Sequence, residues 1–261
     1  MGLQQFSIPY KDDAWPHYFL CNYLPVSVGQ DTLSISLLNF KRGRQPDLAA
    51  WIDCSLEMLP VSLFLPGTVI VRALHHQETE ITDRSSTALD QLGLALAYHL
   101  RSRYLPRLLF KTQPAREIKW FTKGQREIEL MGLYQLNSQL NHQLTPPLPD
   151  TRRLKTSISG SDNPPFLIID DILTTGTTVK MIIGVLTQHF PSSRLSIFTL
   201  AKADYDDNLN KSTPLKGQNY QLEDGKGWMV AEEEVGYTYL KQDFFSLNQL
   251  KNRIRANSFP G

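Results

Sequence analysis

The chain has 261 residues, is 41% hydrophobic and carries a formal net charge of +1. That length allows one substantial core with an appendage or two small domains, and the charge lacks the basic excess of a dedicated nucleic-acid-binding domain. Cys21 and Cys54 form no CxxC pair, which argues against a structural zinc site and for free thiols in a reducing compartment. No run approaches the ~18 apolar residues of a membrane span, and the first ten residues lack a signal-peptide pattern, so a soluble cytoplasmic protein is expected.

Residues 1–30 read as irregular. Pro9, Pro16 and Pro25 interrupt them, yet aromatics are dense, so an ordered flap over residues 1–36 is expected rather than disorder. Leu33, Ile35 and Leu37 alternate as in a strand. A basic turn, Lys41-Arg42-Gly43-Arg44, follows and is read as exposed. A helix starts near Pro46, with Leu48, Ile52, Leu56 and Leu59 on one face. The β-branched run at 68–71 reads as a buried strand. Ser85 or Ser86 is expected to cap the next helix, whose stripe is Leu89, Leu92, Gly93, Leu96 and Leu100.

Residues 101–126 hold eight Lys or Arg against the single acid Glu117. Thr122 and Gln125 fit a capping box. Residues 137–165 read as a connecting loop. Phe166-Leu167-Ile168-Ile169 is a wholly apolar strand. Thr177 or Thr178 then opens a helix with Val179, Ile182, Ile183, Leu186 and Phe190 on one face, and Pro191 ends it. Residues 194–201 form another strand. Strand, helix and strand within forty residues make a βαβ unit, hence a parallel sheet. A last helix is expected over 246–255.

The segment from Ile168 to Thr178, IIDDILTTGTT, carries the chemistry. Asp170 and Asp171 sit where a buried strand ends, which in parallel sheets opens on the ligand crevice. Ionised carboxylates are acceptors only and suit a sugar diol. The turn at Thr174, Thr175, Gly176, Thr177 and Thr178 can aim backbone N–H groups and the positive end of a helix at one anion. Gly176 lets the backbone approach without a Cβ in the way. A phosphate on one side and a diol on the other describe a ribose 5-phosphate.

This pattern of apolar strand, Asp-Asp, two variable residues and Thr-Thr-Gly-x-Thr resembles the PRPP (phosphoribosyl pyrophosphate) motif of type I phosphoribosyltransferases. The ComF-like branch is the most similar. Residues 166–203, the strand and turn Val69 to His75, and the spacing Phe121-Thr122-Lys123, Arg126, Gly132, Tyr134 carry that likeness, with a fainter echo at Asn39 to Gly43. The resemblance implies a doubly wound parallel α/β core over 37–205 and a homodimer; residues 206–261 have no counterpart in that branch and are read as a C-terminal appendage, a hood over the base site. It implies that Asp170 and Asp171 hold ribose hydroxyls, that Thr174 to Thr178 hold the 5-phosphate, and that the turn Arg72-Ala73-Leu74 meets pyrophosphate through its backbone. Mg²⁺ would accompany PRPP. Lys111 and Lys123 are candidate catalytic cations within the basic segment, and no protein-ligated metal is expected. The implied reaction is phosphoribosyl transfer to an unidentified nitrogenous acceptor with release of pyrophosphate.

The sequence departs from that branch after His75. Glu78, Glu80 and Asp83 stand where it has a basic run, and an acidic segment there should repel pyrophosphate. The alternative is therefore a non-catalytic module that senses PRPP or a nucleotide, within DNA uptake or another nucleic-acid process. A receiver domain would need a longer βα array after its acidic pair, and no P-loop or Rossmann glycine pattern is present. His75 and His76 are adjacent and point apart in an extended chain, which disfavours a shared metal.

Overall fold

The computed structural model describes residues 3–23, 32–81, 87–115, 132–144, 163–203 and 250–252. Its centre is a six-stranded sheet built of β1 (Gln4–Tyr10), β2 (Asp13–Tyr23), β3 (Val69–Arg72), β4 (Arg103–Tyr104), β7 (Phe166–Leu173) and β8 (Leu195–Ala203). The spatial order is β1-β2-β8-β7-β3-β4. Only β1 and β2 pair antiparallel; the other four ladders are parallel. The helices are α1 (Thr32–Lys41), α2 (Asp47–Met58), α3 (Ala88–His99) and α4 (Thr177–His189). A small antiparallel pair, β5 (Leu109–Lys111) and β6 (Tyr134–Leu136), lies outside the main sheet. The chain is thus α/β with a mostly parallel sheet flanked by helices.

Side-chain alternation along the strands divides the core in two. Ile70, Leu167, Ile169, Phe198 and Leu200 face α1, α2 and α3. Val69, Val71, Ile168, Leu195 and Ile197 face α4 and the β5–β6 pair. A strand covered on both sides must be apolar, as Val69, Ile70 and Val71 of β3 and the Phe166–Ile169 run are. Arg72 at the end of β3 is the exception, and its pairing is described below.

Three expectations are corrected. Residues 32–41 are helical, not a strand. Leu33, Leu37 and Phe40 share helical spacing and are all buried, whereas Ile35 is not, so the 3.6-residue period prevails over the apparent alternation. The N-terminal stretch is not an irregular flap: β1 and β2 are two strands of the main sheet. Pro16 precedes the β2–β8 ladder, which begins at His17, and Pro9 lies on the outer strand, so neither proline removes a needed central amide. Finally, α3 is capped by Thr87, whose side chain and that of Asp90 form a reciprocal capping box; Ser85 and Ser86 lie outside the described residues. Gly93 in α3 has a packing reason, since a Cβ there would come within 2.5 Å of the Tyr104 ring. The expected helix at the C-terminal end is described only at residues 250–252, which are helical, with Leu250 buried. The Thr122–Gln125 capping box, Lys123 and the hood segment 206–261, apart from 250–252, lie outside the described residues.

Candidate functional site

Strand β7 is closed on both sides through Ile169 and then emerges at a carboxylate pair. Asp170 still pairs in register with Thr199 of β8. Its carboxylate accepts from the Asp171 amide at 2.9 Å, and Asp171 accepts from the Ile172 amide at 2.7 Å. The Lys41 ammonium, at the end of α1, lies 3.2 Å from Asp171 Oδ2. Burial, and next the adjacent Asp171 carboxylate, push the Asp170 carboxyl well above the usual carboxylate range, against the pull of the Asp171 amide and Lys41. A neutral Asp170 can donate a hydrogen bond while Asp171 accepts, a combination suited to a diol. Lys41 was read as part of an exposed turn; the helical course of α1 brings it to the acid pair.

After Leu173 the chain turns through Thr174 and Thr175 to Gly176, whose φ of 71° lies in the left-handed region. Glycine takes this conformation without the penalty of a Cβ. Thr175 and Thr177 share a hydroxyl contact at 2.9 Å, which closes the turn on itself. Helix α4 then begins with no side chain capping its first turn, although the opening amides of any helix lack partners within it. The contrast with the doubly capped start of α3 is informative. A helix start without a side-chain cap can present its first N–H groups, at the positive end of the helix dipole, to an anion.

The turn after β3 forms a second wall, and its donors are already engaged. Arg72 is 2% exposed. Its Nε donates to Asp90 Oδ1 at 2.7 Å, and its two Nη groups donate to Glu78 at 2.8 and 2.9 Å. Asp90 also accepts from Tyr104 Oη at 2.6 Å. Glu78 reaches back to accept from the His75 amide at 2.7 Å. The Ala73 amide donates to Ile169 O and the Leu74 amide to Tyr134 Oη. Lys111 lies beneath this turn, its ammonium on the carbonyl oxygens of His75 and His76 at 2.5 and 3.4 Å. Burial lowers the Lys111 pKa to about 8. The catalytic expectation for Lys111 gives way to a structural task, because both contacts hold backbone and the residue is 3% exposed.

These charges carry a pH prediction. Burial alone would raise the Glu78 and Asp90 carboxyls, but the Arg72 hydrogen bonds outweigh it and both sit below their usual values. In the unfolded chain they titrate near about pH 4. The stability they contribute is present above that value and is lost as pH falls through their lower folded values. Asp170 has the opposite sign: because its folded value is raised, stability rises as pH falls from that value to about pH 4, and below about pH 4 its contribution no longer changes. Urea midpoints measured from neutral pH down to about pH 3 should therefore fall steeply below about pH 4. A flat profile there would remove the ion network from the account.

The two walls enclose a cavity of about 470 Å³, within the range of small-ligand sites. Asp170, Asp171 and Thr178 form one side; Arg72, Ala73, Leu74, His75, His76 and Glu78 form another. Leu38, Phe40 and Lys41 of α1, Arg42 just after it, the cap residue Thr87, and Ala88 and Leu89 of α3 complete it. Thr174, Thr175 and Gly176 lie in the adjoining turn, and Thr177 is buried. Strand β7, β3 and helix α1 thus bring together the acid pair, Arg72 and Lys41 from distant parts of the sequence. No protein-family model matches the chain, and no curated protein sequence is significantly similar to it. Among the described residues no group of three His, Cys, Asp or Glu could hold a metal ion. Asp171 faces the Lys41 ammonium. No helix of the described residues is long and apolar enough to cross a membrane.

Proposed function

We propose that the protein binds the ribose 5-phosphate unit of a phosphoribosyl compound in the cavity between β7, α1 and the turn after β3. Asp170 and Asp171 take the ribose hydroxyls, and the uncapped amides at the start of α4 take the phosphate. The observation that carries this reading is the juxtaposition of an acid pair at a parallel-strand end with an uncapped helix N-terminus around Gly176. The mostly parallel sheet supports the likeness to a type I phosphoribosyltransferase.

Two activities could use such a site. Transfer of a phosphoribosyl group from PRPP would require a place for pyrophosphate and its Mg²⁺. The Glu78 carboxylate on the His75 amide favours the other activity, sensing of a nucleotide without turnover.

Calorimetry with ribose 5-phosphate tests the shared claim. Asp171→Asn should weaken binding roughly 10- to 100-fold, the equivalent of about 1.5–3 kcal/mol for hydrogen bonds to a charged group. Absence of heat with any ribose 5-phosphate compound would refute it. Release of pyrophosphate from PRPP and Mg²⁺ on adding a base or amine would establish the transferase over the sensor.

A further inference from the structure

The acid pair and the α4 turn account for the hydroxyls and the 5-phosphate of a ribose. What remains of the cavity must receive the substituent at C1, and its chemistry decides what that substituent can be.

A pyrophosphate at C1 would need free N–H donors and surplus positive charge. In the turn after β3 the amides of Ala73, Leu74 and His75 and the Arg72 guanidinium are already engaged. Glu78 already occupies the His75 amide and both terminal nitrogens of Arg72. In effect a carboxylate belonging to the chain sits where an incoming anion would bind. The amides of Ala73 and Leu74 donate to Ile169 and Tyr134. Three cations line the cavity (Lys41, Arg42 and Arg72), but the charged carboxylates of Glu78 and Asp171 stand beside them. Lys41 is paired with Asp171, and Arg72 with Glu78 and Asp90. A polyanion placed against Glu78 meets like charge in a partly desolvated site, where repulsion is strong.

The other lining has the opposite character. Leu38, Leu74, Ala88 and Leu89 present apolar surface, and the exposed imidazole of His75 lies beside them. Partial desolvation at the cavity wall, then the neighbouring His76 and Lys41, lower the His75 pKa, which favours a neutral aromatic face. A flat, uncharged heterocycle fits this lining and a pyrophosphate does not.

We infer that the cavity is selective for a nucleoside 5′-monophosphate over PRPP, with Glu78 as the residue that excludes the pyrophosphate. This inference rests on the ribose 5-phosphate reading above and sharpens it to a ligand class.

The test is calorimetry on the full chain with AMP, GMP, CMP, UMP, ribose 5-phosphate and PRPP, the last with and without Mg²⁺. At least one monophosphate should bind about tenfold or more tighter than PRPP. Glu78→Gln keeps the side-chain shape and removes the charge. It should tighten PRPP binding about tenfold while moving the preferred monophosphate by no more than roughly threefold. PRPP binding as tightly as every monophosphate to the unaltered chain overturns the inference and leaves the ribose 5-phosphate reading standing. Unchanged PRPP affinity in a folded Glu78→Gln chain also overturns it. No heat with any of the six compounds defeats both. Should Glu78→Gln fail to fold, the ratio in the unaltered chain decides alone.

Discussion

Replacing Arg72 with methionine should lower the free energy of unfolding by about 3–5 kcal/mol, the usual consequence of removing one partner from a buried ion pair. The guanidinium is almost wholly enclosed and joins Asp90 to Glu78. Methionine fills similar volume, so the loss comes mainly from electrostatics rather than a cavity. Asp90 suffers more, since its side chain is 8% exposed against 17% for Glu78 and solvent can screen the latter. Asp90 also caps α3 through Thr87, so the helix start loosens with it. Urea denaturation measures the change, and Arg72→Lys should fall between the two because one ammonium cannot reproduce the forked contacts. A loss under about 1 kcal/mol would mean that the carboxylates find solvent without Arg72, contrary to their burial.

Trp51→Ala is the second large effect, again about 3–5 kcal/mol, for a different reason: an unfilled cavity in a packed core. Trp51 has no exposed surface and sits in α2 among residues of α1, α3 and the sheet. Its indole Nε1 donates to Ser36 Oγ at 3.1 Å, and Ser36 in turn donates to Asp47. Trp51→Phe retains most of the apolar volume and should recover at least half of the loss, leaving the deficit of an unpaired hydroxyl acceptor and a smaller ring. Thermal and urea unfolding should rank the three chains in that order. Equal stability of the alanine and phenylalanine variants would contradict a packing origin.

Much of the architecture that positions the site is legible in local sequence. Phe166 to Ile169 is a continuous apolar run, and Val179, Ile182, Ile183 and Leu186 recur at helical spacing. Such signals need no knowledge of the rest of the chain. The errors arise where a local signal is ambiguous. Leu33, Ile35 and Leu37 satisfy a strand period, while Leu33, Leu37 and Phe40 satisfy a helical one; burial of Phe40 decides between them. Pro9 and Pro16 suggest an irregular stretch because their ladder positions cannot be known in advance. The candidate cleft is visible in the sequence at the end of β7 and at the turn after β3, but not on its α1 and α3 sides. The acidic character after His75 signals trouble for pyrophosphate, yet nothing in composition says that Glu78 folds back onto the His75 amide. Arg72 was read for its backbone, and its side-chain partner Asp90 lies 18 positions away with no periodic cue. Lys41 meets Asp171 across the fold for the same reason: side-chain ion pairs between distant segments leave no trace in spacing.

The parallel pairing of β2 with β8 bears on how the molecule is made. His17 and Thr199, hydrogen-bonded across that ladder, are 182 positions apart. A nascent chain leaving the ribosome at roughly 5–20 residues per second exposes the inner edge of β2 for on the order of 10 s before its partner exists. During that interval the β1–β2 hairpin offers an apolar, unpaired margin to any neighbouring polypeptide. Synthesis thus has a vulnerable phase that ends only when the chain past residue 203 clears the exit tunnel, and a chaperone that shields extended apolar segments should bind most avidly to chains stalled before that point.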